Sequence, residues 1–398
     1  MQRRRIGLVV PRYGEDVLGG AEALARGLAE QIVAAGLADV QVLTTCARNH
    51  HTWENEIAPG VSTVRGVSVQ RFPVAHSLRD KERYEALHLR LIRREQISEN
   101  EQFEWIDQSA HCPTLYAYLE DHGRSFDYLI FIPYLFGITY YGSAIYPERS
   151  ILWPCLHDEI YAYICPTRDM YRTCLGAMFN TYPEMRLAQR LHGRHPGAQI
   201  VGFGMEPFST DGERFRQQHG ITDPFILYSG RLEGAKNVPL LIHHFLQYKA
   251  GRNSSFKLVL MGQGPENIPD HPDIIPIGFR IGQEKLDAYA AAAALCQPSV
   301  NESFSIVIME SWLAGAPVLV HRDCEVTHYH VLRSNGGLAF RTDQDFTAAL
   351  DLLLGDSGIR RRLGGNGCAY VQGEYGWSQV LERFESAMYL WDKLRKTT

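Results

Sequence analysis

The stretch Gln297–Val320, QPSVNESFSIVIMESWLAGAPVLV, constrains the fold of this chain more than any other part of its sequence. An apolar run ends at Pro298, a polar loop follows, and a helix-like segment extends from about Phe304 to Leu313. A glycine and a proline then stop the helix before a second apolar run, Val318–Val320. The pattern predicts a strand, a loop, a helix and a second strand in succession.

The loop of this unit carries Glu302, Ser303 and Ser305 just before the predicted helix. The first backbone N–H groups of a helix have no intrahelical partner and lie at its positive end, so they attract anions. Glu310 follows roughly 8–9 Å further along the axis, a distance that could separate a ribose hydroxyl from a diphosphate. On spacing alone, an ordinary serine cap and two solvated glutamates explain the same residues.

Strand and helix patterns alternate along both halves of the chain, which predicts an α/β protein with two doubly wound domains and a cleft between them. The length of 398 residues also exceeds the size of a single core. Apolar runs such as Tyr128–Pro133 and Phe225–Tyr228 are typical of buried parallel strands. We predict a first domain over 1–204 and a second over 205–375, with a linker over Met205–Pro224.

Charge and composition exclude several classes of protein. The net charge of −5 argues against general nucleic-acid binding. Apolar runs stay well short of the ~18 residues of a membrane span, and the basic start of the chain has no cleavage signal, so we expect a cytoplasmic protein. The eight cysteines have no metal-ligand spacing. The acidic pair in Asp343-Gln344-Asp345 is predicted to begin a helix rather than to bind manganese.

Two cations follow the predicted strand Phe225–Tyr228. Arg231 and Lys236 flank the turn from this strand to the next helix, which Asn237 is predicted to cap. Two cations at such a turn can hold a diphosphate without a metal. A surface charge pair is the alternative.

Other candidate residues lie in loops at predicted strand ends. Gly19, Gly20 and Gly262 lack side chains, so a ligand can approach the backbone there, although flexible turns explain them as well. His157 and Asp158 follow an apolar run, and ligands of parallel sheets gather at that edge. A structural hydrogen-bonding histidine is the alternative.

Three segments resemble the donor-site elements of retaining glycosyltransferases of family four, which use nucleotide sugars. ESFSIVIMESWLAGAPV contains two glutamates with seven residues between them and a GAPV turn, GRLEGAKN resembles the GRL…KN element, and GGAE resembles the first glycine loop. The chain departs from the family pattern at Ser305, where glycine is usual, and at Ser311-Trp312, where small residues are usual.

The resemblance implies the GT-B architecture, with two Rossmann-like domains facing across a cleft and a helix at about 376–398 that crosses back onto the first, acceptor-side domain. It implies that His157 and Glu302 act in catalysis and that Asp158 and Asn180 are candidates for contacting the acceptor. No metal or other cofactor is implied. The residues implied to bind the donor are Gly19, Gly20, Arg231, Lys236, Gly262, Arg280, Ile281, Ser303, Phe304, Ser305, Ile306 and Glu310.

The expected activity is metal-independent transfer, with retention, of a sugar from a nucleoside diphosphate sugar such as a UDP-sugar. The expected acceptor is a hydroxyl of a glycan or of a lipid-linked or protein-linked molecule in bacterial glycan or glycolipid synthesis. A GT-B nucleotide-sugar epimerase and a non-catalytic nucleotide-sugar-binding protein are the alternatives. Arginines alternate with leucine and tyrosine over 79–94, which predicts either a solvated helix face or a peripheral contact with an anionic acceptor or the inner membrane surface.

Overall fold

The computed structural model describes residues 3–17, 19–252 and 254–396 and divides into two compact units. The first unit contains Met1–Gly204 and Trp377–Thr398, and the second contains Met205–Gly376. Each unit is built around its own, almost entirely parallel sheet. The α/β class with two Rossmann-like domains is therefore confirmed, while the last two residues of the predicted C-terminal helix lie outside the described residues.

Apolar runs of the sequence form the buried strands of the first unit, since buried parallel strands are apolar on both faces, and more polar strands lie at the edges of its sheet. They are β1 (Arg4–Val9), β2 (Ala38–Thr45), β3 (Gly60–Val64), β4 (Val67–Phe72), β5 (Tyr128–Phe131), β6 (Ser150–Leu152), β7 (Gly176–Phe179) and β8 (Ala198–Ile200). The helices between them are α1 (Gly20–Ala34), α2 (Lys81–Ile92), α3 (Glu99–Asp107), α4 (Pro113–His122), α5 (Gly137–Ile145), α6 (Cys165–Thr173) and α7 (Tyr182–His192).

The first sheet has the order β3-β4-β2-β1-β5-β6-β7-β8. Neighbouring strands are parallel except for β3 and β4. The chain runs from β1 to one edge and then returns to β5 on the other side of β1. The strand order therefore reverses between β1 and β5, and a doubly wound sheet binds its ligands beside such a switch point.

The second unit repeats this plan with helices between parallel strands. Its strands are β9 (Phe225–Ser229), β10 (Lys257–Met261), β11 (Ile274–Gly278), β12 (Ala294–Gln297), β13 (Val318–His321) and β14 (Gly337–Phe340), in the sheet order β11-β10-β9-β12-β13-β14. Its helices are α8 (Gly212–His219), α9 (Val238–Lys249), α10 (Gly282–Ala291), α11 (Ile306–Leu313), α12 (Glu325–Ser334), α13 (Asp343–Gly355) and α14 (Ser357–Tyr375).

The last helix, α15 (Trp377–Arg395), packs within the first unit. Trp391 is fully buried, and its indole N–H donates to the carbonyl of Gly197 at 2.8 Å. The hydroxyl of Tyr128 on β5 lies 3.0 Å from the carbonyl of Met388. These buried contacts attach α15 to the sheet of the first unit.

Two segments differ from the sequence predictions. The predicted linker Met205–Pro224 contains α8, a polar helix in which Phe215 is the buried residue. The alanine-rich sequence Leu286–Leu295 predicts a helix before the central stretch, but α10 ends at Ala291 so that β12 can pair with β9 and β13. The predicted helix start at Asp343 is confirmed, and the Thr342 side chain caps it reciprocally with Asp345.

Trp312, a departure from the family pattern, fits into α11 because glycines face it. A β-carbon at Gly367 on α14 would lie 2.0 Å from Trp312 Cδ1, and the indole N–H donates to the Gly336 carbonyl at 2.8 Å. The large side chain is thus accommodated by small partners on neighbouring elements. Across the described part of the chain, no helix combines the length and apolar character needed to cross a membrane.

Candidate functional site

The second sheet has its switch point between β9 and β12, because the chain runs from β9 to β10 and β11 and then returns to β12. The loop after β9 carries Arg231 and Lys236, and the loop after β12 carries Glu302 and Ser303. Both loops start at carboxyl ends of adjacent parallel strands, the position where doubly wound sheets bind ligands. The fold of this unit therefore brings the predicted donor residues of both loops to one edge.

Lys236 and Glu302 meet at this switch point. The Nζ of Lys236 lies 2.8 Å from Oε1 of Glu302, and their side chains are 21% and 11% exposed. Asn237 occupies the predicted N-cap position of α9, but its side chain makes no capping hydrogen bond. Asn237 has a left-handed φ of 60°, which asparagine tolerates, and its side-chain amide donates to the Pro298 carbonyl at 3.1 Å. Asn237 therefore joins the two loops.

Helix α11 begins at Ile306 rather than at about Phe304, because Ser305 lies in the left-handed region with φ 69° and ψ 75°. Its Oγ is buried and has no hydrogen-bond partner, so Ser305 is not an ordinary cap. Glycine adopts this conformation without a β-carbon penalty, which explains why the resembling family usually has glycine here. Ser303 and Phe304 are also buried, so their side chains are not exposed to a ligand in this structure.

Replacing Ser305 by glycine is expected to stabilise the protein by about 0.5–1 kcal/mol, because it removes left-handed strain and a buried hydroxyl without a partner. The added freedom of glycine in the unfolded chain offsets part of the gain. The midpoint of urea unfolding measures the effect. Ser303→Gly is the matched control, since φ of Ser303 is not positive and the same change should destabilise. A lower midpoint for Ser305→Gly would contradict the strain argument.

Glu310 is held in one orientation by two neighbours. Its Oε1 lies 2.6 Å from the Lys285 Nζ, and its Oε2 accepts from the Tyr289 hydroxyl at 2.9 Å. The Tyr289 hydroxyl also lies 3.0 Å from Ser229 Oγ, and burial followed by the Glu310 charge raises the pKa of Tyr289. The carboxylate is only 13% exposed. A ligand hydroxyl would therefore reach an acceptor that is already fixed in place.

Cations around this edge contact carboxylates. Arg231, 64% exposed, lies 3.0 Å from Glu233, so its side chain contacts a different glutamate from the one bound by Lys236. Convergence of Arg231 and Lys236 on a diphosphate thus remains a prediction. An anionic ligand would have to replace carboxylates as the partner of these cations. The pairs are Arg231–Glu233, Lys236–Glu302, Arg280–Glu284 and Lys285–Glu310.

Gly262 is required by the packing of the backbone. A β-carbon there would lie 1.8 Å from the Gly230 carbonyl oxygen, so a side chain would force the loops after β9 and β10 apart. Close approach of protein backbone therefore explains this glycine without a ligand. After β11, Phe279 and Ile281 are 41% and 63% exposed and Arg280 contacts Glu284. This apolar surface is suited to the face of a nucleobase.

In the first unit, Gly19 immediately precedes α1 and Gly20 is the first residue of that helix. Gly19 has φ 154°, and a β-carbon there would lie 2.0 Å from Glu22 Oε2. Glu22 in turn forms an ion pair of 2.5 Å with Arg12. Gly20 is exposed with open space around the position of a β-carbon. Ligand access to the backbone at Gly20 is therefore consistent with the structure, whereas Gly19 is fixed by local packing.

His157 lies beyond the end of β6, which is shorter than the predicted strand and ends at Leu152. Its Nδ1 is 3.4 Å from Oε1 of Glu159, and its side chain is 29% exposed. The buried Tyr134 hydroxyl donates to the same Oε1 at 3.0 Å. Tyr134 thus anchors Glu159, and Glu159 orients the imidazole. The adjacent Asp158 is exposed and lies 2.8 Å from Arg190.

Glu184 holds the backbone of the loop that precedes His157, and the sequence analysis missed it. Its two carboxyl oxygens accept from the Leu156 N–H at 2.7 Å and the Asn180 N–H at 2.6 Å. Burial raises the pKa of Glu184 to about 8, against the hydrogen bonds, which lower it. Asn180 is itself fully buried and accepts from the Trp153 indole at 3.0 Å. Its side chain supports the core, and its suggested contact with an acceptor remains a prediction.

The arginine-rich stretch lies largely on α2, and several of its charges face glutamates of α3. Arg83 donates to both carboxylate oxygens of Glu104, at 2.7 and 2.6 Å, and Arg90 forms an ion pair with Glu101. Arg93 is more exposed and lies 3.9 Å from Glu95. These pairs neutralise much of the positive charge, as expected of a solvated helix face.

Comparisons with known proteins agree with this geometry. Residues 211–369 match the sequence model of the family described as "Glycosyl transferases group 1". An uncharacterized glycosyltransferase of Methanocaldococcus jannaschii is 23% identical over 94% of this chain and 95% of its own length. The structure is similar to sucrose-phosphate synthase from Thermosynechococcus elongatus (TM-score 0.69, 16% identity, 100% of both chains). It is also similar to the Anabaena protein HepE in complex with UDP and glucose (TM-score 0.69, 15% identity, 98% and 100% of the chains).

The chain therefore has the GT-B fold. The segment that matches the glycosyl transferases group 1 model lies within the second unit, and both switch-point loops lie within that segment.

Proposed function

We propose that this protein is a retaining glycosyltransferase that moves a sugar from a nucleoside diphosphate sugar, with UDP as the preferred nucleotide, to an acceptor hydroxyl. The observation that carries the proposal is the edge of the second sheet, where the start of α11, Lys236 and Glu310 surround one switch point. This arrangement offers an anion site and a ribose site on one surface. The UDP complex of the similar HepE structure supports the choice of nucleotide.

The diphosphate is bound by the amide N–H groups at the start of α11 and by Lys236 and Arg231. On binding, its oxygens replace Glu302 and Glu233 as partners of these cations. Charge that develops on the departing phosphate is then stabilised by fixed donors, which is the role that a divalent ion has in other transferases. The reaction therefore proceeds without a metal.

The nucleoside lies along the outer part of the same edge. Ribose hydroxyls donate to Glu310, which Lys285 and Tyr289 already hold in place. The base contacts the exposed apolar surface of Phe279 and Ile281. Since apolar surface alone discriminates weakly between bases, hydrogen bonds from the backbone after β11 provide the preference for uracil.

His157 of the first unit and Glu302 of the second unit are the residues proposed to act on the sugar. The resemblance to family four favours attack by the acceptor hydroxyl on the same face that the phosphate leaves. The acceptor proton then passes to the departing phosphate oxygen, and the anomeric configuration is retained. His157 orients the sugar and stabilises its developing positive charge, and Asp158 is the exposed candidate for contact with the acceptor.

Incubation of the protein with single UDP-sugars, with and without candidate acceptors, tests the proposal against its alternatives. We expect release of UDP to depend on an acceptor, and NMR of the product made in EDTA should show the donor's anomeric configuration. An epimerised UDP-sugar formed without acceptor would favour the epimerase. Binding without turnover over a broad acceptor panel would favour the non-catalytic protein, and an inverted product would overturn the proposed stereochemistry.

Glycans, lipid-linked and protein-linked hydroxyls remain the expected acceptors. The ion pairs between α2 and α3 favour a solvated surface over a membrane contact. Exposed Leu89, Ile92 and Arg93 are the part of this stretch that could still contact a lipid surface.

A further inference from the structure

Three potential metal ligands converge between α9 and the first residue of α13, in a part of the second unit that the proposed reaction does not use. They are the tandem histidines His243 and His244 and the carboxylate of Asp343. Nδ1 of His244 lies 2.5 Å from Oδ1 of Asp343, and Nε2 of His243 lies 3.6 Å from Oδ2. One ligand atom from each residue lies within 4.8 Å of the others.

The His244 ring is held in a fixed position. Its side chain is 4% exposed, its ring stacks on Phe346 with centroids 5.3 Å apart, and it forms a T-shaped pair with Phe340 with centroids 5.4 Å apart. The contact between Nδ1 of His244 and Oδ1 of Asp343 holds the carboxylate beside this ring. Two of the three ligands are therefore already positioned.

His243 completes the set from the solvent side. Its side chain is 54% exposed, so it can rotate toward the other two groups without disturbing the core. Two imidazoles and one carboxylate form a common ligand set for Zn²⁺ and other first-row divalent ions, with water in the remaining position. Ligand atoms of a tetrahedral zinc ion lie about 3.3 Å apart, so a small rotation of His243 brings the set to that spacing.

We propose that His243, His244 and Asp343 bind a divalent transition metal ion, preferably Zn²⁺, which joins α9 to the start of α13. A hydrogen bond between His244 and Asp343 explains their contact by itself, but it does not explain why His243 also faces the same carboxylate. The ion would replace the Nδ1 proton of His244, and this proton moves to Nε2. Because Nε2 is buried without a partner, we expect affinity weaker than that of structural zinc sites.

The metal site is separate in function from the transfer reaction. It lies on α9, whose first turn follows Lys236, so bound metal stabilises the second unit without contacting the donor. Zinc binding can therefore be tested without measuring sugar transfer. The result of that test does not depend on whether the proposed glycosyltransferase reaction occurs.

The test is isothermal titration of the full chain, first dialysed against EDTA and then freed of it, with ZnCl₂, and thermal unfolding with and without excess Zn²⁺. We expect one site with micromolar affinity and a higher unfolding temperature in zinc, since ligand binding to the native state stabilises it. His243→Ala, which changes an exposed side chain, should lose at least tenfold in zinc affinity and most of the thermal shift. Asp343→Asn should do the same, and the capping pair Thr342 and Asp345 keeps the start of α13 folded.

His51→Ala is the matched control, because His51 is the exposed histidine of another pair of consecutive histidines, His50-His51. We expect it to leave the zinc titration and the thermal shift unchanged. Absence of zinc binding up to ~100 μM, or equal binding by wild type and His243→Ala, would overturn the proposal. In that case the contact between His244 and Asp343 is only a hydrogen bond.

Discussion

Lys236→Ala is expected to lower kcat/KM for the nucleotide-sugar donor by roughly 10²–10³-fold, which corresponds to about 3–4 kcal/mol of lost transition-state stabilisation. Lys236 is only 21% exposed and lies against the loop after β12. A cation in this position is weakly screened by water, so its charge acts strongly on the departing phosphate. Much of the loss should appear in kcat, since negative charge on that phosphate increases during the reaction.

Two further variants separate the role of Lys236 from that of its partner. Glu302→Gln removes the carboxylate that Lys236 contacts, so UDP binding measured by calorimetry should stay equal or become tighter. Turnover should nevertheless fall if Glu302 acts beside the sugar. Arg231→Ala should have a smaller effect than Lys236→Ala, because Arg231 is 64% exposed and its charge is better screened.

Arg252→Ala is the matched control in the same unit. Arg252 is partly exposed and lies 3.4 Å from the Asp351 carboxylate, so it also forms a cation–carboxylate pair, but on another part of the surface. Its removal should leave kcat/KM within about twofold. If Lys236→Ala behaved like Arg252→Ala, the diphosphate would have to be bound elsewhere.

The main strands of the fold could be predicted because buried parallel strands consist of runs of apolar residues. β9 and β13 each extend one residue beyond the predicted runs Phe225–Tyr228 and Val318–Val320. α8 was missed because its sequence, GERFRQQH, is polar and Phe215 alone fills the core side. A helix with one buried residue shows no periodic pattern of apolar residues in its sequence. The side of α8 that is buried can be recognised only from its packing against α10 in the folded unit.

At the site, residue identities were easier to predict than their partners. The sequence indicated Lys236, Glu302 and Glu310, but their ion pairs depend on how separate loops pack at the sheet edge. Asn237 looked like a cap because its type favours caps, whereas tertiary contact with Pro298 decided its conformation. Local propensity could not supply that information.

Glu184 shows a signal that the sequence did contain. Thr181 and Glu184 have the spacing of a capping box, and the Thr181 hydroxyl accepts from the Glu184 N–H at 3.2 Å. This pattern identifies the start of α7. It does not predict that the carboxylate reaches Leu156, because that contact depends on how the loop after β6 packs in the folded unit.

His157→Ala is expected to lower kcat about 100-fold while the affinity for UDP changes less than about threefold, because the imidazole acts on the sugar and not on the nucleotide. The contact between Nδ1 and Glu159 favours the tautomer that carries a proton on Nδ1. Nε2 is then an acceptor that can orient a sugar hydroxyl. Single-turnover kinetics together with UDP calorimetry measure the two quantities separately.

The contacts that position His157 allow a more specific prediction than the effect of removing His157 alone. If Tyr134 anchors Glu159 and Glu159 orients the imidazole, Glu159→Gln and Tyr134→Phe should lower kcat by progressively smaller factors, with UDP affinity unchanged. His122→Ala, an exposed histidine on α4, should leave both quantities unchanged. Equal losses of kcat and UDP affinity in His157→Ala would instead indicate a structural role, because a displaced loop would weaken binding and turnover together.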